Sequence, residues 1–392
     1  MPPYPEAIFA RGRLVLLLLA ALCAAGVMSQ LTATAEARPS QKKAIWGPAL
    51  VAGKSQFPIY SDLGVGIWQR AVSWRNVSPT RPVNPTDPND PAYRWDDTEL
   101  DFGVREAARY GIRVSLTVLQ TPSWANGGQP GTHPPHDSQS YAKFMEALSR
   151  RYPSVHLYMV WGEPIRVPNF NVHPTRAPNY YARRDERTGA RLPVFNALQR
   201  ADARKYAELV DSTYGRLKAR SKANMIIGGN TTTSGEVDPF NWVRHMRLSD
   251  GRPPRMDLFG HNPFGTRAPN LAKDQILVGT ADFSDLDIFV PWIDRWLSRS
   301  GRNKRLRLFI SEYTAPTDVP SFEFPYHVTR EVQARWLAAG LRIARSWKRI
   351  YTLGWIGLRD PPPRTEDGQE ARNGLIDARG VRKAAYFAYR RG

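Results

Sequence analysis

Short apolar segments alternate with amphipathic helical segments along most of this chain, and this alternation limits the possible fold more than any other feature. The apolar segments have the length and β-propensity of strands that are buried on both faces, as in a parallel sheet. Eight strands, some with the turn that follows them, are predicted at residues 44–48, 66–74, 112–119, 156–164, 224–230, 255–265, 307–313 and 350–357. The predicted helices cover residues 56–63, 96–110, 138–151, 196–222, 239–248, 289–300, 328–348 and 383–390.

This order of strands and helices predicts an α/β fold, the (β/α)8 TIM barrel. An open, doubly wound sheet is the alternative, but it would call for a Gly-rich phosphate loop after an early strand, and none is present. A length of 392 residues suits two average domains or one large barrel with long loops, and we expect the barrel. One basic insertion, at about residues 165–193, is long enough to suggest a functional loop.

The composition indicates two kinds of partner. The 12 Trp and 16 Tyr are suited to stacking on sugar rings, although core packing explains many aromatic residues equally well. A formal net charge of +19 favours acidic surroundings such as an anionic cell envelope, and the alternative is an ordinary solvated, Arg-rich surface. The basic residues are dispersed and form no nucleic-acid-binding motif, so we expect no nucleic-acid partner.

The N-terminus has the pattern of a secretory signal peptide. Basic residues precede an apolar run at residues 14–27, and an A-x-A-like site predicts cleavage after Ala37. We therefore expect residues 1–37 to be a signal peptide, residues 38–392 to be a single barrel domain, and the protein to be secreted or associated with the cell envelope. An uncleaved signal anchor is the alternative. Cys23 lies inside the run, so the mature chain would have no cysteine, and no later segment is apolar enough to span a membrane.

Two predicted strands end in a glutamate. One apolar strand runs into Gly162-Glu163-Pro164, and another ends in Ser311-Glu312-Tyr313. Barrel enzymes keep their chemistry at the C-terminal ends of the strands, and barrel closure can bring two such ends face to face. A single glutamate at a strand end is more often a surface or capping residue. The prediction of a catalytic site therefore rests on the presence of two such glutamates.

Segments around both glutamates, and several others, resemble motifs of the large clan of retaining barrel glycosidases. The matching segments are residues 70–79, 121–125, 161–164, 257–265, 310–313, Trp355 and residues 374–386. In this order the set resembles glycoside hydrolase families 39 and 5. Each motif is weak alone, but together they cover most of the chain after residue 37.

The resemblance implies a glycosidase that uses two carboxyl groups and neither metal nor cofactor. Glu163 corresponds to the acid/base and Glu312 to the nucleophile, and a cation such as Arg70 would keep Glu312 ionised. A purely structural ion pair is the alternative for Arg70. The expected substrate is a polysaccharide or glycoconjugate.

Four further residues are candidate substrate contacts. Trp124 and Trp355 would be apolar platforms for sugar rings, and His261 and Asn262 would bind hydroxyl groups near the cleavage point. Each has a structural alternative: rim or barrel packing for the tryptophans, a buried structural role for His261, and a plain turn residue for Asn262.

The chain departs from the clan pattern beside both glutamates. Gly162 stands where the clan has an Asn that bonds the sugar 2-hydroxyl, and Phe264 stands where it has a Tyr that holds the nucleophile. Asn262 occupies the usual His position, with His261 one place earlier. Two alternatives to the glycosidase therefore stay open: a carbohydrate-binding pseudoenzyme on the same barrel, and a polysaccharide lyase.

Overall fold

Eight parallel strands form a closed barrel in the computed structural model of this protein. It describes residues 39–166, 168–172, 183–184, 191–192, 195–234, 237–272, 279–298, 301–324, 326–362 and 370–392. The barrel strands are β1 (Ser40–Trp46), β2 (Val65–Ser73), β3 (Arg113–Leu119), β4 (Leu157–Val160), β5 (Met225–Thr232), β6 (Leu258–Asn262), β7 (Arg307–Tyr313) and β8 (Ile350–Ile356).

Helices surround the barrel and connect successive strands. Each strand pairs in parallel with its neighbours in the sequence, and β8 pairs with β1 to close the sheet. The helices are α1 (Phe57–Asp62), α2 (Trp74–Val77), α3 (Thr98–Arg109), α4 (Ser138–Arg151), α5 (Ala197–Arg220), α6 (Pro239–His245), α7 (Leu286–Ile293), α8 (Arg330–Ser346) and α9 (Ala384–Arg391). This architecture confirms the predicted (β/α)8 TIM barrel.

The core has two layers because successive residues of a strand point to opposite faces of the sheet. Inside the barrel, the strands contribute a small apolar cluster that includes Ala44, Ile67, Ile227 and Phe309. Between the strands and the helices lies a larger apolar cluster, which fixes the helices on the barrel. A side chain's parity along its strand therefore decides whether it faces the barrel interior or the helices.

Polar caps set the starts of the long helices. Asp97 accepts a hydrogen bond from the backbone N–H of Leu100 at the start of α3. A reciprocal capping box between Asn196 and Gln199 begins α5. After α3, Gly111 adopts a φ of +64°, a left-handed conformation that glycine takes without a steric penalty and that turns the chain into β3.

A buried ion pair connects the end of the chain to the loop after β8. The side chains of Lys383 and Asp360 are 0% and 1% exposed and lie 3.0 Å apart. Lys383 also donates to the Thr317 hydroxyl, so the segment that resembles the clan's closing stretch is attached to the loops after β7 and β8. Removing one partner of such a pair leaves an uncompensated buried charge, which typically costs about 3–5 kcal/mol.

Residues 38–392 form one compact unit. The predicted signal peptide, residues 1–37, lies outside the described residues, as does most of the predicted insertion at 165–193. Within that insertion the structure describes an antiparallel ladder between Arg183–Arg184 and Arg191–Leu192. In the described part of the chain, every helix is too short or too polar to cross a bilayer.

Candidate active site

A cavity of about 950 Å³ opens at the C-terminal ends of the barrel strands. Both glutamates predicted from the sequence line it: Glu163 follows β4, and Glu312 lies near the end of β7. A cavity of this size, with a few converging polar groups, is typical of a small-molecule or substrate site.

An unusual turn brings Glu163 into this cavity. Trp161 and Glu163 have φ values of +66° and +43°, a left-handed conformation that non-glycine residues rarely adopt. The Trp161 ring packs away from the cavity against Phe170, and its indole N–H donates to the Asn169 carbonyl oxygen. Such backbone strain persists only where the surroundings enforce it, and it is frequent at functional sites.

Asn262 holds the Glu163 carboxylate. The Asn262 Nδ2 donates to Glu163 Oε1 over 2.9 Å, and the Ser311 hydroxyl donates to Asn262 Oδ1. On the other side, Arg166 Nη1 lies 3.4 Å from Glu163 Oε2. The acid after β4 is therefore fixed through β6 to the residue that directly precedes Glu312.

Electrostatics couple the two carboxyl groups. Burial, followed by the negative charges of Glu163 and Glu323, raises the pKa of Glu312 to about 8. Burial and the charge of Glu163 therefore favour the protonated form of Glu312 in the ligand-free protein. The sequence had suggested that a neighbouring cation keeps Glu312 ionised.

The cation suggested for that role, Arg70, lies elsewhere. Arg70 donates to Asp97 over 3.2 Å and to Glu99 over 3.1 Å, both at the start of α3. The strand parity explains this placement, since the neighbouring Gln69 is the residue that faces the barrel interior and donates to the Ser311 carbonyl oxygen. Arg70 thus has the structural ion pairs that were its alternative.

His261 and Asn262 are neighbours that face opposite sides of β6. His261 is fully buried, and its two ring nitrogens contact the Thr231 hydroxyl and the Ala281 carbonyl oxygen, both at 2.8 Å. Burial lowers the pKa of this imidazole to about 4, so it is neutral at physiological pH. His261 packs on the helical layer and is outside the cavity lining, whereas Asn262 reaches the carboxylate.

The two tryptophans suggested as sugar platforms also lie outside the cavity lining. Trp355 is 0% exposed, and its indole N–H donates to the Asn373 carbonyl oxygen. Trp124 donates to the Ser78 carbonyl oxygen and packs edge-on against Trp74. Trp355 is fully covered in the helical layer, whereas Trp124 is half-buried at the rim.

Other aromatic residues line the cavity. Trp46, at the end of β1, donates to the Ser311 carbonyl oxygen, and Phe264 contacts Phe324 with ring centroids 5.3 Å apart. Phe322 also borders the cavity and is 70% exposed, which is unusual for so apolar a side chain. None of the motifs pointed to these aromatic residues as sugar platforms; their signal in the sequence is the dense aromatic segment Phe322-Glu-Phe-Pro-Tyr326 soon after β7.

Carboxyl groups outnumber cations in the cavity. Asp282 is neutralised by Arg267, 2.7 Å away, whereas Glu323 has its pKa raised by burial and by the charges of Glu370 and Glu163. In the described residues, no group of three or more His, Cys, Asp or Glu side chains is arranged to hold a metal ion.

Solved structures with the same barrel are numerous, although no family model and no curated protein sequence matches the chain. A family 39 glycoside hydrolase from Bacteroides cellulosilyticus WH2 aligns over 90% of this chain and 63% of its own, with a TM-score of 0.58 and 14% identity. A β-xylosidase from Caulobacter crescentus CB15 aligns over 91% and 69%, with a TM-score of 0.52 and 18% identity. A β-glucosidase from Thermotoga maritima aligns over 86% and 84%, with a TM-score of 0.53 and 12% identity.

The chain shares the barrel fold of these glycoside hydrolases. The likeness to family 39 expected from the motifs is confirmed at the level of the fold. At such low identity the comparison establishes fold alone, and fold alone does not establish function. The chain spans 63% of the length of the Bacteroides protein.

Proposed function

We propose that this protein is an exported retaining glycoside hydrolase that cleaves O-glycosidic bonds in a polysaccharide or glycoconjugate. The observation that carries the proposal is the presence of Glu163 and Glu312 in one cavity, after β4 and on β7 of a (β/α)8 barrel. The reaction requires at least two carboxyl groups that flank the sugar, and barrel enzymes place them at this end of the strands.

The mechanism is a double displacement. Glu163 donates its proton to the glycosidic oxygen as the bond from that oxygen to the anomeric carbon breaks, and a Glu312 carboxylate oxygen forms a new bond to that carbon. Glu163 then takes a proton from water while the water oxygen attacks the anomeric carbon, which breaks the bond to Glu312.

In this mechanism, substrate binding must favour the ionised form of Glu312. In the free protein, burial and the charge of Glu163 keep Glu312 protonated below its pKa of about 8. Glu312 must lose this proton before it can attack as a carboxylate. A bound sugar helps because hydroxyl groups that donate to Glu312 replace lost solvation and favour its ionised form.

The cavity aromatics are the platforms for sugar rings in this proposal. Phe264 and Phe324 contact each other on one wall, and Trp46 lies near Glu312 through its bond to Ser311. Apolar ring faces pack against the C–H faces of sugars, and the exposed Phe322 extends this surface toward solvent.

The decisive experiment is intact-mass analysis of residues 38–392 after incubation with a panel of activated 2-deoxy-2-fluoro glycosides, furanosides included. A mass increase of one sugar, located on Glu312 by peptide mapping, is the expected result. Addition of the sugar to another residue would refute Glu312 as nucleophile. Glu312→Ala is the matched control and should remain unlabelled.

A carbohydrate-binding pseudoenzyme is the second candidate. Gly162 and Phe264 in place of the clan's Asn and Tyr favour it, and so does the raised pKa of Glu312 without a cation such as Arg70 beside it. Isothermal titration with oligosaccharides decides between the candidates. Binding without turnover, with equal affinity in Glu163→Gln, would establish the pseudoenzyme in place of the glycosidase.

Export and envelope association are part of the proposal. The signal-like N-terminus supports export, and N-terminal sequencing of the mature protein should begin at Arg38. A protein that begins at residue 1, recovered with the membrane, would support an uncleaved anchor instead.

A cluster of arginines supports binding to an anionic envelope. Arg244, Arg247 and Arg295 lie 5.2, 5.4 and 5.6 Å from the ring centre of Trp296, and none of them has a carboxylate partner within the described part of the chain. Charge alone is a weak indication, but guanidinium groups gathered around one ring form a local cationic surface.

Retention on isolated cell-wall material across a salt series tests this association. Arg244→Glu/Arg295→Glu should elute at lower salt than Arg105→Glu/Arg342→Glu, which has the same net charge but changes two exposed arginines elsewhere. Elution of the two variants at the same salt concentration would mean that net charge, and not the arginine cluster, causes the retention. Retention that does not depend on salt would refute electrostatic binding to the envelope.

A further inference from the structure

We propose that the Asn373 side chain donates a hydrogen bond to a substrate hydroxyl beside the reacting carbon, the contact that Gly162 cannot make. The inference rests on the proposed glycosidase function and names a specificity-determining residue for it. No sequence motif pointed to Asn373, which follows the loop after β8 and lies 61 positions after Glu312 in the chain, as their residue numbers show.

Asn373 is oriented so that its donor is available to a ligand. The buried Thr314 hydroxyl donates to Asn373 Oδ1 over 3.0 Å, which fixes the orientation of the amide. Asn373 lines the same cavity as Glu163 and Glu312. Its Nδ2 has no protein acceptor among the described residues. This nitrogen is not among the buried polar atoms that lack a partner, so it is accessible from the cavity. Because Thr314 follows Glu312 by two residues, the Asn373 amide is attached to the segment that carries Glu312.

The backbone around Asn373 is held firmly. Its carbonyl oxygen accepts from the Trp355 indole, and the next residue, Gly374, donates from its N–H to Asp360 over 2.7 Å. Asp360 is the buried partner of Lys383. Donors that are held before the substrate arrives lose little entropy on binding, so such a position suits a specific polar contact.

Other amides near the carboxyl groups are already engaged. Asn262 donates to Glu163 and accepts from Ser311, and Asn230 donates to the Trp161 carbonyl oxygen. Gln69 donates to the Ser311 carbonyl oxygen below the cavity. Asn373 is thus the amide with both a fixed orientation and a free donor in the described lining of the cavity.

The test compares hydroxyl dependence in the wild type, Asn373→Ala and Thr314→Val. The probes are the 4-nitrophenyl glycoside of the sugar that labels Glu312 in the mass experiment and its monodeoxy analogues. Asn373→Ala should lower kcat/KM about 10- to 100-fold on the parent glycoside, and this loss should vanish on one deoxy analogue. Thr314→Val, which only releases the amide, should show a smaller loss at the same hydroxyl.

Asn89→Ala, on an exposed loop before α3, is the matched control and should keep the wild-type hydroxyl dependence. Melting temperature is recorded for every variant, because a merely structural role would lower it without singling out one hydroxyl. An equal loss on the parent and on all deoxy analogues, or no loss, overturns the inference while leaving the glycosidase intact. Failure of the wild type to be labelled at Glu312 by any sugar of the panel overturns both.

Discussion

The two sides of the barrel mouth carry equally good sequence motifs but differ in what their side chains face. On the β4 and β7 side, Glu163 and Glu312 border a cavity of about 950 Å³. On the β2 and β3 side, a pocket lined by Trp124 has a volume of about 50 Å³. Arg81 lies over the Trp124 ring at 5.9 Å and helps to fill this side.

The difference comes from which partners each side supplies. Arg70 finds two carboxylates at the start of α3, and Trp124 finds a carbonyl oxygen and a neighbouring ring, so each is satisfied by the fold itself. Glu163 accepts from Asn262, and both glutamates border the open space of the cavity. A motif residue thus indicates a site only where its functional atoms remain unpaired by the surrounding structure.

The largest expected effect on kcat distinguishes Glu312, on the β4 and β7 side, from Glu99, on the β2 and β3 side. Glu312→Ala should lower kcat by at least about 10⁴-fold because it removes the nucleophile, whereas Glu99→Gln should change kcat less than about threefold and only lower stability. Steady-state kinetics on a glycoside accepted by the wild type measure both. Comparable losses of kcat in the two variants would erase the distinction between the two sides.

Neighbouring residues of β6 give the next comparison. Asn262→Ala should lower kcat about 10- to 100-fold at an unchanged fold, because Glu163 loses its 2.9 Å hydrogen bond. His261→Ala should instead lower the free energy of unfolding by about 2–4 kcal/mol, since it leaves a cavity and two unpaired polar groups. Kinetics and denaturant unfolding of both variants check this. A loss of kcat in His261→Ala with a loss of stability in Asn262→Ala would place His261 in the site.

Protonation of Glu312 should appear in stability. Its pKa of about 8 in the folded protein lies above the ordinary value of 4.5, so the folded state holds this proton more tightly than the unfolded state. The resulting stabilisation is complete below pH 4.5 and is lost as the pH rises to 8. Relative to the wild type, Glu312→Gln should therefore gain about 5 kcal/mol of stability between these limits, at about 1.4 kcal/mol per pH unit.

Denaturant unfolding of the wild type and Glu312→Gln at several pH values measures this difference. A difference that stays constant with pH would mean that Glu312 is ionised throughout. It would also restore the expectation that a cation offsets its burial.

The smallest effect concerns aromatic residues of the two sides. Phe322→Ala should raise KM about three- to tenfold without lowering stability, because the side chain is 70% exposed and borders the cavity. Trp124→Phe should leave KM unchanged and cost about 1 kcal/mol of stability through the lost bond to Ser78. A KM effect confined to Trp124→Phe would mean that the substrate reaches the β2 and β3 side.

Much of the fold was predictable because its signals are local. The helix at 138–151 and the strand at 307–313 have the boundaries expected from their patterns, since polar caps and apolar periodicity act within a few residues. The region 289–300 was predicted as a helix, but α7 begins earlier and passes into a π-helical turn over Asp294–Ser298. Pro291 lies inside that helix and disturbs its regular hydrogen bonds.

The candidate site was predictable only in part. Both glutamates and Asn262 could be named because their segments resemble known motifs, and the structure brings them together. Arg70, His261 and Trp355 belong to similar segments but point to the helical layer. Asn373 and the Phe322 segment lie outside the matching motifs, so only their positions in space identify them.

The sequence by itself determined the order of strands and helices, the barrel class and the two strand-end glutamates, because these follow from apolar periodicity and from short motifs. The tertiary structure decided which side of each strand faces the cavity, which polar atoms stay unpaired and how strongly burial raises the pKa of Glu312. These properties depend on distances between residues far apart in the chain, such as Asn262 to Glu163 and Thr314 to Asn373. Barrel closure and burial set those distances, and no local pattern encodes them.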